Sequence, residues 1–391
     1  MRALRLFAGL MLLIFVGAAG AAAPAGAAEP EGFAAGGRLR PDGERWRIGY
    51  VEGEPFVNFA GNLYGILHGL RELGWIEDLS GLPYREGQDD SRAMWAWLAA
   101  NDPSPYLEFV ADAHWSFLLD RGEEEVVRRL REERDLDVVI AMGTYAGTVL
   151  ARDDHRVPVL VLSSSDPVRA GIVASAEDPG RGHIWAFVDP TRGRRQIMVF
   201  HDLIGFTRLG MVHEDSELGR IFAMADEVEA VARERGFTIE RIYVDEPRSE
   251  ADRDRYHEDV LRAHQELAKR VDAMLIAVAS IETARLPSLL EPFFEAGIPT
   301  FSQLGVEEVE QGAVLSVARS DFLDMGRFNA QVLSRVLHGE SPRSISQLYT
   351  EAPRIAVNLA AAERIGYRVP FEVLLVADYV FHTLPGREAE R

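Results

Sequence analysis

The stretch Leu136–Ser175 limits what this chain can fold into more than any other. It reads LDVVIAMGTYAGTVLARDDHRVPVLVLSSSDPVRAGIVAS. Val138–Ala141 is a short apolar run, as expected of a strand buried on both faces. Gly143-Thr144 interrupts it, and Tyr145–Ala151 has the composition of a short helix. Val157–Leu162 is a second apolar run and ends in Ser163-Ser164-Ser165-Asp166-Pro167. Strand, polar turn, helix, strand, polar turn is the order of a parallel α/β sheet. Both polar turns then fall at the carboxyl ends of strands, where open α/β sheets bind ligands.

The same alternation continues along the chain. Trp46–Val51 reads as a first strand. After the Glu52-Gly53-Glu54-Pro55 turn comes a helix carrying Leu63, Ile66, Leu67, Leu70 and Leu73, with Asn58 as its expected cap. Residues 77–105 read as a polar insertion near the mouth of a cleft, with one aromatic knot at Met94, Trp95, Trp97 and Leu98. From Ile184 to Ser302 strands and helices alternate with few interruptions. The expected fold is therefore α/β, with two Rossmann-like lobes of parallel sheet. Its expected divisions are a signal peptide at 1–28, a flexible leader at 29–45, lobe 1 at 46–168 plus 314–346, lobe 2 at 169–313 plus 347–381, and a tail at 382–391.

Arg2 and Arg5, the apolar run Leu6–Val16 and the small residues up to Ala27 and Ala28 make a secretory signal peptide, with cleavage expected near Ala27/Ala28. An uncleaved anchor is the alternative, although the apolar run is short for a span. The chain has no cysteine, which excludes a lipid-modified cleavage site, disulfides and thiolate metal ligands. The expected location is the periplasm. A formal charge of −20 argues against nucleic acid as a partner.

Catalytic patterns are missing from the sequence. There is no H-x-x-x-H, no G-x-S-x-G elbow and no phosphate-binding glycine loop. No enzyme activity, cofactor or metal is expected, and an undetected hydrolase is the remaining alternative. Binding residues are easier to propose. Thr144, Ser164, Ser165 and Asp166 occupy neighbouring turns of the first lobe, and Ser280, Ser302 and Gln303 occupy matching turns of the second. Asp321 follows a strand that returns to the first lobe, and Asp321 or Glu52 would answer a ligand ammonium. Asn58 belongs to the first loop. Tyr50, Phe56, Tyr145, Trp185 and Phe187 offer aromatic walls. For Phe56 and Phe59 the alternative is a hydrophobic staple on the first helix.

Pro158–Ser175 (PVLVLSSSDPVRAGIVAS), Gly297–Ser302 (GIPTFS), Pro353–Leu359 (PRIAVNL) and Arg364–Pro370 (RIGYRVP) give the chain a resemblance to known proteins over residues 46–381. It resembles the substrate-binding proteins of ABC transporters, in particular the group with predicted tryptophan- and tyrosine-binding members. The resemblance implies a type I periplasmic-binding fold, with two lobes joined by a three-strand hinge and a ligand held between them. It implies a monomer that captures a small polar solute, amino-acid-like or a small carboxylate or amide, and delivers it to an inner-membrane permease. A periplasmic partner of a sensor receptor or histidine kinase is the alternative. The chain departs from the family pattern at Gly180–Ala186, where a polar glycine-rich turn is replaced by GRGHIWA, and at residues 77–105.

Overall fold

The computed structural model describes residues 36–277, 279–318, 322–349 and 354–385. The signal-peptide reading and the candidate Asp321 lie outside them. Among the described residues no helix is long and apolar enough to cross a membrane.

The chain opens with β1 (Trp46–Glu52), α1 (Val57–Glu72), α2 (Arg92–Asn101), β2 (Leu107–Ser116), β3 (Val138–Met142), α3 (Gly143–Leu150), β4 (Val159–Leu162) and β5 (Ile184–Ala186). These strands form one parallel sheet in the order β2-β1-β3-β4-β5. Every residue of β3 and β4 is buried. Alternate side chains supply the two faces. Val138, Ile140 and Met142 join one apolar cluster with Leu160, Leu162 and Trp185, while Val139 and Ala141 join a second with Val159, Val161 and Ile184. The unbroken apolar runs follow from this two-sided burial.

The second sheet is built from β6 (Arg208–His213), β7 (Thr238–Tyr243), β8 (Ala273–Ile276), β9 (Thr300–Ser302), β10 (Leu315–Ala318), β11 (Arg354–Asn358) and β12 (Tyr379–Phe381). Its order is β12-β11-β10-β9-β8-β6-β7. The helices α4 (Arg192–Ile204), α5 (Ala225–Arg235), α6 (Arg253–Leu267) and α7 (Leu286–Ala296) connect its strands. All pairings are parallel except β10 with β11. This differs from the expected all-parallel sheet for a topological reason. After β10 the chain leaves for the first lobe, forms α8 (Phe322–Leu337) there, and re-enters the second sheet from the end where it left.

Sheet membership also moves the expected lobe boundaries. Residues 169–188 are expected in lobe 2, yet β5 pairs with β4 in the first sheet. Residues 314–318 are expected in lobe 1, yet β10 lies between β9 and β11. Leu348, placed in lobe 2, bridges Val188 at the edge of the first lobe. The chain therefore changes sheets three times, between β5 and α4, between β10 and α8, and between Leu348 and β11.

α8 is fixed to the first lobe by close helix contact with α1. A Cβ on Gly65 would lie 2.0 Å from the Phe322 carbonyl oxygen, and one on Gly326 would lie 2.1 Å from the Gly65 carbonyl carbon. Only glycine allows that approach. Trp75 Nε1 donates to Ser334 Oγ at 2.9 Å in the same contact. The aromatic knot of residues 77–105 belongs to α2 and is not at the cleft mouth. Met94, Trp95 and Leu98 are buried in the first-lobe core, and Trp95 Nε1 donates to the Val110 carbonyl at 2.9 Å. The segment Phe371–Phe381 packs back as a helix, Phe371–Val376, followed by edge strand β12.

Candidate functional site

A cavity of about 400 Å³ lies between the two sheets, within the size range of small-molecule sites. Its walls come from the carboxyl ends of strands in both lobes. β1 leads to Gly53 and Glu54, β2 to Phe117 and Leu118, and β3 to Gly143, Thr144 and Tyr145. From the second lobe β6 leads to Glu214, β7 to Glu246 and Arg248, and β8 to Ala279 and Ser280. Phe56, Phe59 and Phe222 complete an aromatic lining.

Local structure sets several of these groups. Gly143 has φ +88°, and a Cβ there would stand 2.5 Å from the Phe59 ring, so the β3–α3 turn needs glycine. Phe56 and Phe59 meet edge to face, with centroids 5.1 Å apart. They pack on each other and face the cavity, so the staple and the wall are one feature. Tyr145 donates its hydroxyl to Glu123 Oε1 at 3.1 Å and meets Phe117 edge to face at 5.9 Å. That leaves the ring fixed but 39 % exposed.

Charges meet at Ser280. Its hydroxyl donates to Glu54 Oε1 across the cleft at 2.8 Å, and its backbone N–H donates to Glu246 Oε2 at 3.1 Å. Arg253 Nη2 reaches Glu54 Oε2 at 3.2 Å. Tyr256 donates its hydroxyl to Glu246 Oε1 at 3.2 Å. Burial raises the Glu54 carboxyl above its ordinary value, against the pull of Ser280 and Arg253. Burial also pushes Glu246 up to about 7, with the charge of Glu54 adding to the effect.

Of the residues chosen from the sequence, Phe56, Thr144, Tyr145 and Ser280 line the cavity. The others do not. Tyr50 and Glu52 are fully buried within the first lobe, where the tyrosine hydroxyl donates to Glu52 Oε2 at 2.8 Å. Ser91 Oγ donates to the same oxygen at 2.9 Å. Asn58 is not a cap, because Phe56 takes the N-cap position and Asn58 sits inside α1, buried. Ser164 is buried against Thr144, Oγ to Oγ1 3.1 Å, and the Ser165 N–H donates to Thr144 Oγ1 at 3.0 Å. These bonds tie the β3 and β4 turns together behind the cavity wall. Asp166 Oδ1 accepts the N–H groups of Val168 and Arg169 at 3.1 and 2.9 Å and so caps its own turn.

Trp185 is fully buried in the first-lobe core, with Nε1 donating to the Ser346 carbonyl at 3.1 Å. Phe187 is buried near the crossing segments, beside Phe328 and Tyr349. Ser302 is buried and donates to Glu308 Oε2 at 2.7 Å. Gln303 acts from behind the wall, donating to the Phe222 carbonyl at 2.8 Å. Sequence reasoning missed Phe117, Glu214, Phe222, Glu246 and Arg248 as lining. Glu214 and Glu246 closely follow strands, so applying the strand-end rule to β6 and β7 would have found them.

The comparisons with known proteins agree with this geometry. A family described as "ABC transporter substrate binding protein" matches residues 121–381. The chain belongs to this family. As a substrate-binding protein it shares its fold with solved structures at low sequence identity. A Streptococcus pneumonia ABC domain in complex with L-Trp is 19% identical, with TM-score 0.64, covering 86% of this chain and 100% of that one. A conserved domain protein from Vibrio cholerae is 18% identical with TM-score 0.63, over 86% and 100% of the two chains. A ligand-free, open substrate-binding protein with adhesive properties from Clostridium difficile is 17% identical with TM-score 0.56, again over 86% and 100%. No curated protein matches the sequence. Among the described residues no group of three or more His, Cys, Asp or Glu is arranged to hold a metal ion.

The stretch Asp166–Ser175 has a physical role in this substrate-binding protein. Its Arg169 leaves the first lobe and donates to Glu217 Oε1 of the second at 2.9 Å, and also pairs with Asp226. The conformation of the β4 turn thus bears directly on how the lobes meet.

Proposed function

We propose that this substrate-binding protein captures one small solute in the cleft between its lobes and presents it to the permease of an ABC importer. It would act outside the cytoplasmic membrane after removal of residues 1–28. The reading rests on one observation: strand ends from both sheets wall a single cavity, and Ser280 of one lobe already reaches Glu54 of the other. A solute touching both walls favours the closed arrangement by its contacts in that state alone.

The solute contacts we propose are Phe56, Thr144, Tyr145 and Ser280, joined by Glu54 and Glu246. The aromatic lining supports a solute with an apolar or aromatic body, and the bound L-Trp of the pneumococcal relative supports the same class. The test is a thermal-shift panel of the mature protein against amino acids, amines, carboxylates, sugars and nucleosides. A solute of this cleft raises the melting temperature in a concentration-dependent way. Loss of that shift in Tyr145→Ala ties it to the cleft, and an unchanged shift in this variant removes the cavity as the binding site.

A further inference from the structure

The cavity is apolar over much of its wall, but its charged groups are unevenly paired. Glu214 is paired with Arg248, and Glu54 with Arg253. Glu246 faces the cavity with only neutral donors, the Ser280 N–H and the Tyr256 hydroxyl. Among the described residues, no arginine, lysine or histidine nitrogen forms an ion pair with it. The same serine also donates to Glu54 across the cleft, so a second carboxylate stands beside the first. Two recessed carboxylates sharing one partner repel each other unless a proton or a cation stands between them.

We infer that the cleft selects a cationic amine carried on an apolar body, with its nitrogen held by Glu246 and Glu54. This rests on the solute-binding reading above and adds the charge of the solute. An ammonium supplies three donors to the two carboxylates and removes their repulsion, while Phe56, Phe59, Phe117 and Phe222 cover the apolar body. Arg121 and Arg248 also line the cavity and could meet a carboxylate on the same solute, but a solute whose only charge is a carboxylate leaves Glu246 and Glu54 unanswered.

A consequence concerns protons. In the protein alone, Glu246 is raised into the neutral range by burial and by Glu54. The groups that face it or stand next to it are Glu54 from the first lobe, Glu214 after β6, Asp245 and Arg248 on its own loop, Tyr256 and Arg253 on α6, and His213 and His264 behind it. An ammonium bound to the ionised carboxylate displaces the proton, so capture releases a proton below about pH 7. Amine affinity then rises up to about tenfold per pH unit as pH increases toward 7, and levels off above it.

The experiment is calorimetry on the mature protein with matched probes: tryptamine and phenethylamine, tryptophan and phenylalanine, and indole-3-propionate and 3-phenylpropionate. Glucose and succinate are included as solutes with no nitrogen. The expected result is that at least one probe carrying an aliphatic amine binds and the amine-free acid with the same ring is at least tenfold weaker. Glu246→Gln, which keeps the acceptor for Ser280 and Tyr256, should lose tenfold or more while its melting temperature shows it folded. Buffers of different ionisation enthalpy should report proton release at pH 6 in the wild type and none in Glu246→Gln. Tryptamine against tryptophan shows whether the amine comes with or without a carboxylate. Equal binding of amine and deaminated acid, binding of only glucose or succinate, or unchanged amine affinity in folded Glu246→Gln overturns the inference while leaving solute capture standing. If no probe or thermal-panel solute binds, both readings fail.

Discussion

Ser280 Oγ lies 2.8 Å from Glu54 Oε1, a hydrogen bond that leaves one lobe and ends on the other. A bond to a carboxylate of this kind contributes about 1.5–3 kcal/mol. Ser280→Ala should therefore shift the open–closed equilibrium toward open by roughly tenfold or more. The absence of native cysteine makes this measurable. Spin labels on cysteines introduced at the exposed Glu132 and Glu258, one in each lobe, report the interlobe distance. A distance distribution identical to that of the parent would show that the bond contributes nothing to closure.

Tyr145 and Trp185 are both aromatic candidates from the sequence, and the structure gives them opposite fates. Tyr145 is 39 % exposed at the cavity, whereas Trp185 is fully buried in the first-lobe core. Tyr145→Ala should weaken solute binding about ten- to a hundredfold and leave the denaturation midpoint nearly unchanged. Trp185→Ala should cost about 3–5 kcal/mol of stability through the cavity it leaves. Denaturation and binding measured on both variants check the contrast.

The α1–α8 contact gives a stability prediction with a steric cause. A methyl group at Gly326 would overlap the Gly65 backbone, and neither atom belongs to a flexible side chain. Gly326→Ala should destabilise the protein by about 3 kcal/mol or more, because the helices must separate to admit it. Ala330→Gly, in the same interface, should cost about 1 kcal/mol by propensity. Urea midpoints for the pair separate overlap from propensity.

Stability should fall as pH rises from 7 to 8.5. Burial pushes the carboxyls of Glu52 and Glu308 up to about 8, while in the unfolded chain they return to about 4.5. The folded state holds protons that the unfolded chain has released, so this contribution is complete below about pH 4.5 and is lost as pH rises through about 8. Burial lowers His114 and His264 to about 4, and those groups act the other way, but only below about pH 6.5. Above pH 7 the carboxyls prevail, by at most about 1.4 kcal/mol per pH unit for each. Glu52→Gln and Glu308→Gln should flatten the decline in melting temperature over that range, and an unaltered slope would contradict the account.

Legibility in the sequence followed burial. The strands at Val138 and Val157 and their polar turns could be read because central parallel strands are apolar throughout. Facing direction could not be read for the same reason. In β1 both sides are buried, so nothing in Tyr50-Val51-Glu52 separates core side chains from cleft side chains, and the structure buries Tyr50 and Glu52 in the lobe instead of the cavity wall. Thr144 and Ser280 could be found as the first hydroxyls after strands. Glu246 was hidden by the half-exposed, charged β7, whose end is hard to locate by pattern. Residues 164–166 read as ligand groups, yet the Ser164 hydroxyl meets Thr144 of the neighbouring turn and the Asp166 carboxylate caps its own, a use of side-chain oxygens that composition does not distinguish from ligand binding.

The central claim is that one solute is held by both lobes at once. Interlobe distance between labels at 132 and 258, followed during titration with the thermal-panel solute of largest shift, tests it most directly. The account predicts a shorter distance that saturates at the solute concentration calorimetry gives for binding, and loss of both in Tyr145→Ala. Saturable binding with the distance distribution unchanged, starting from a population that is mostly open, would contradict it.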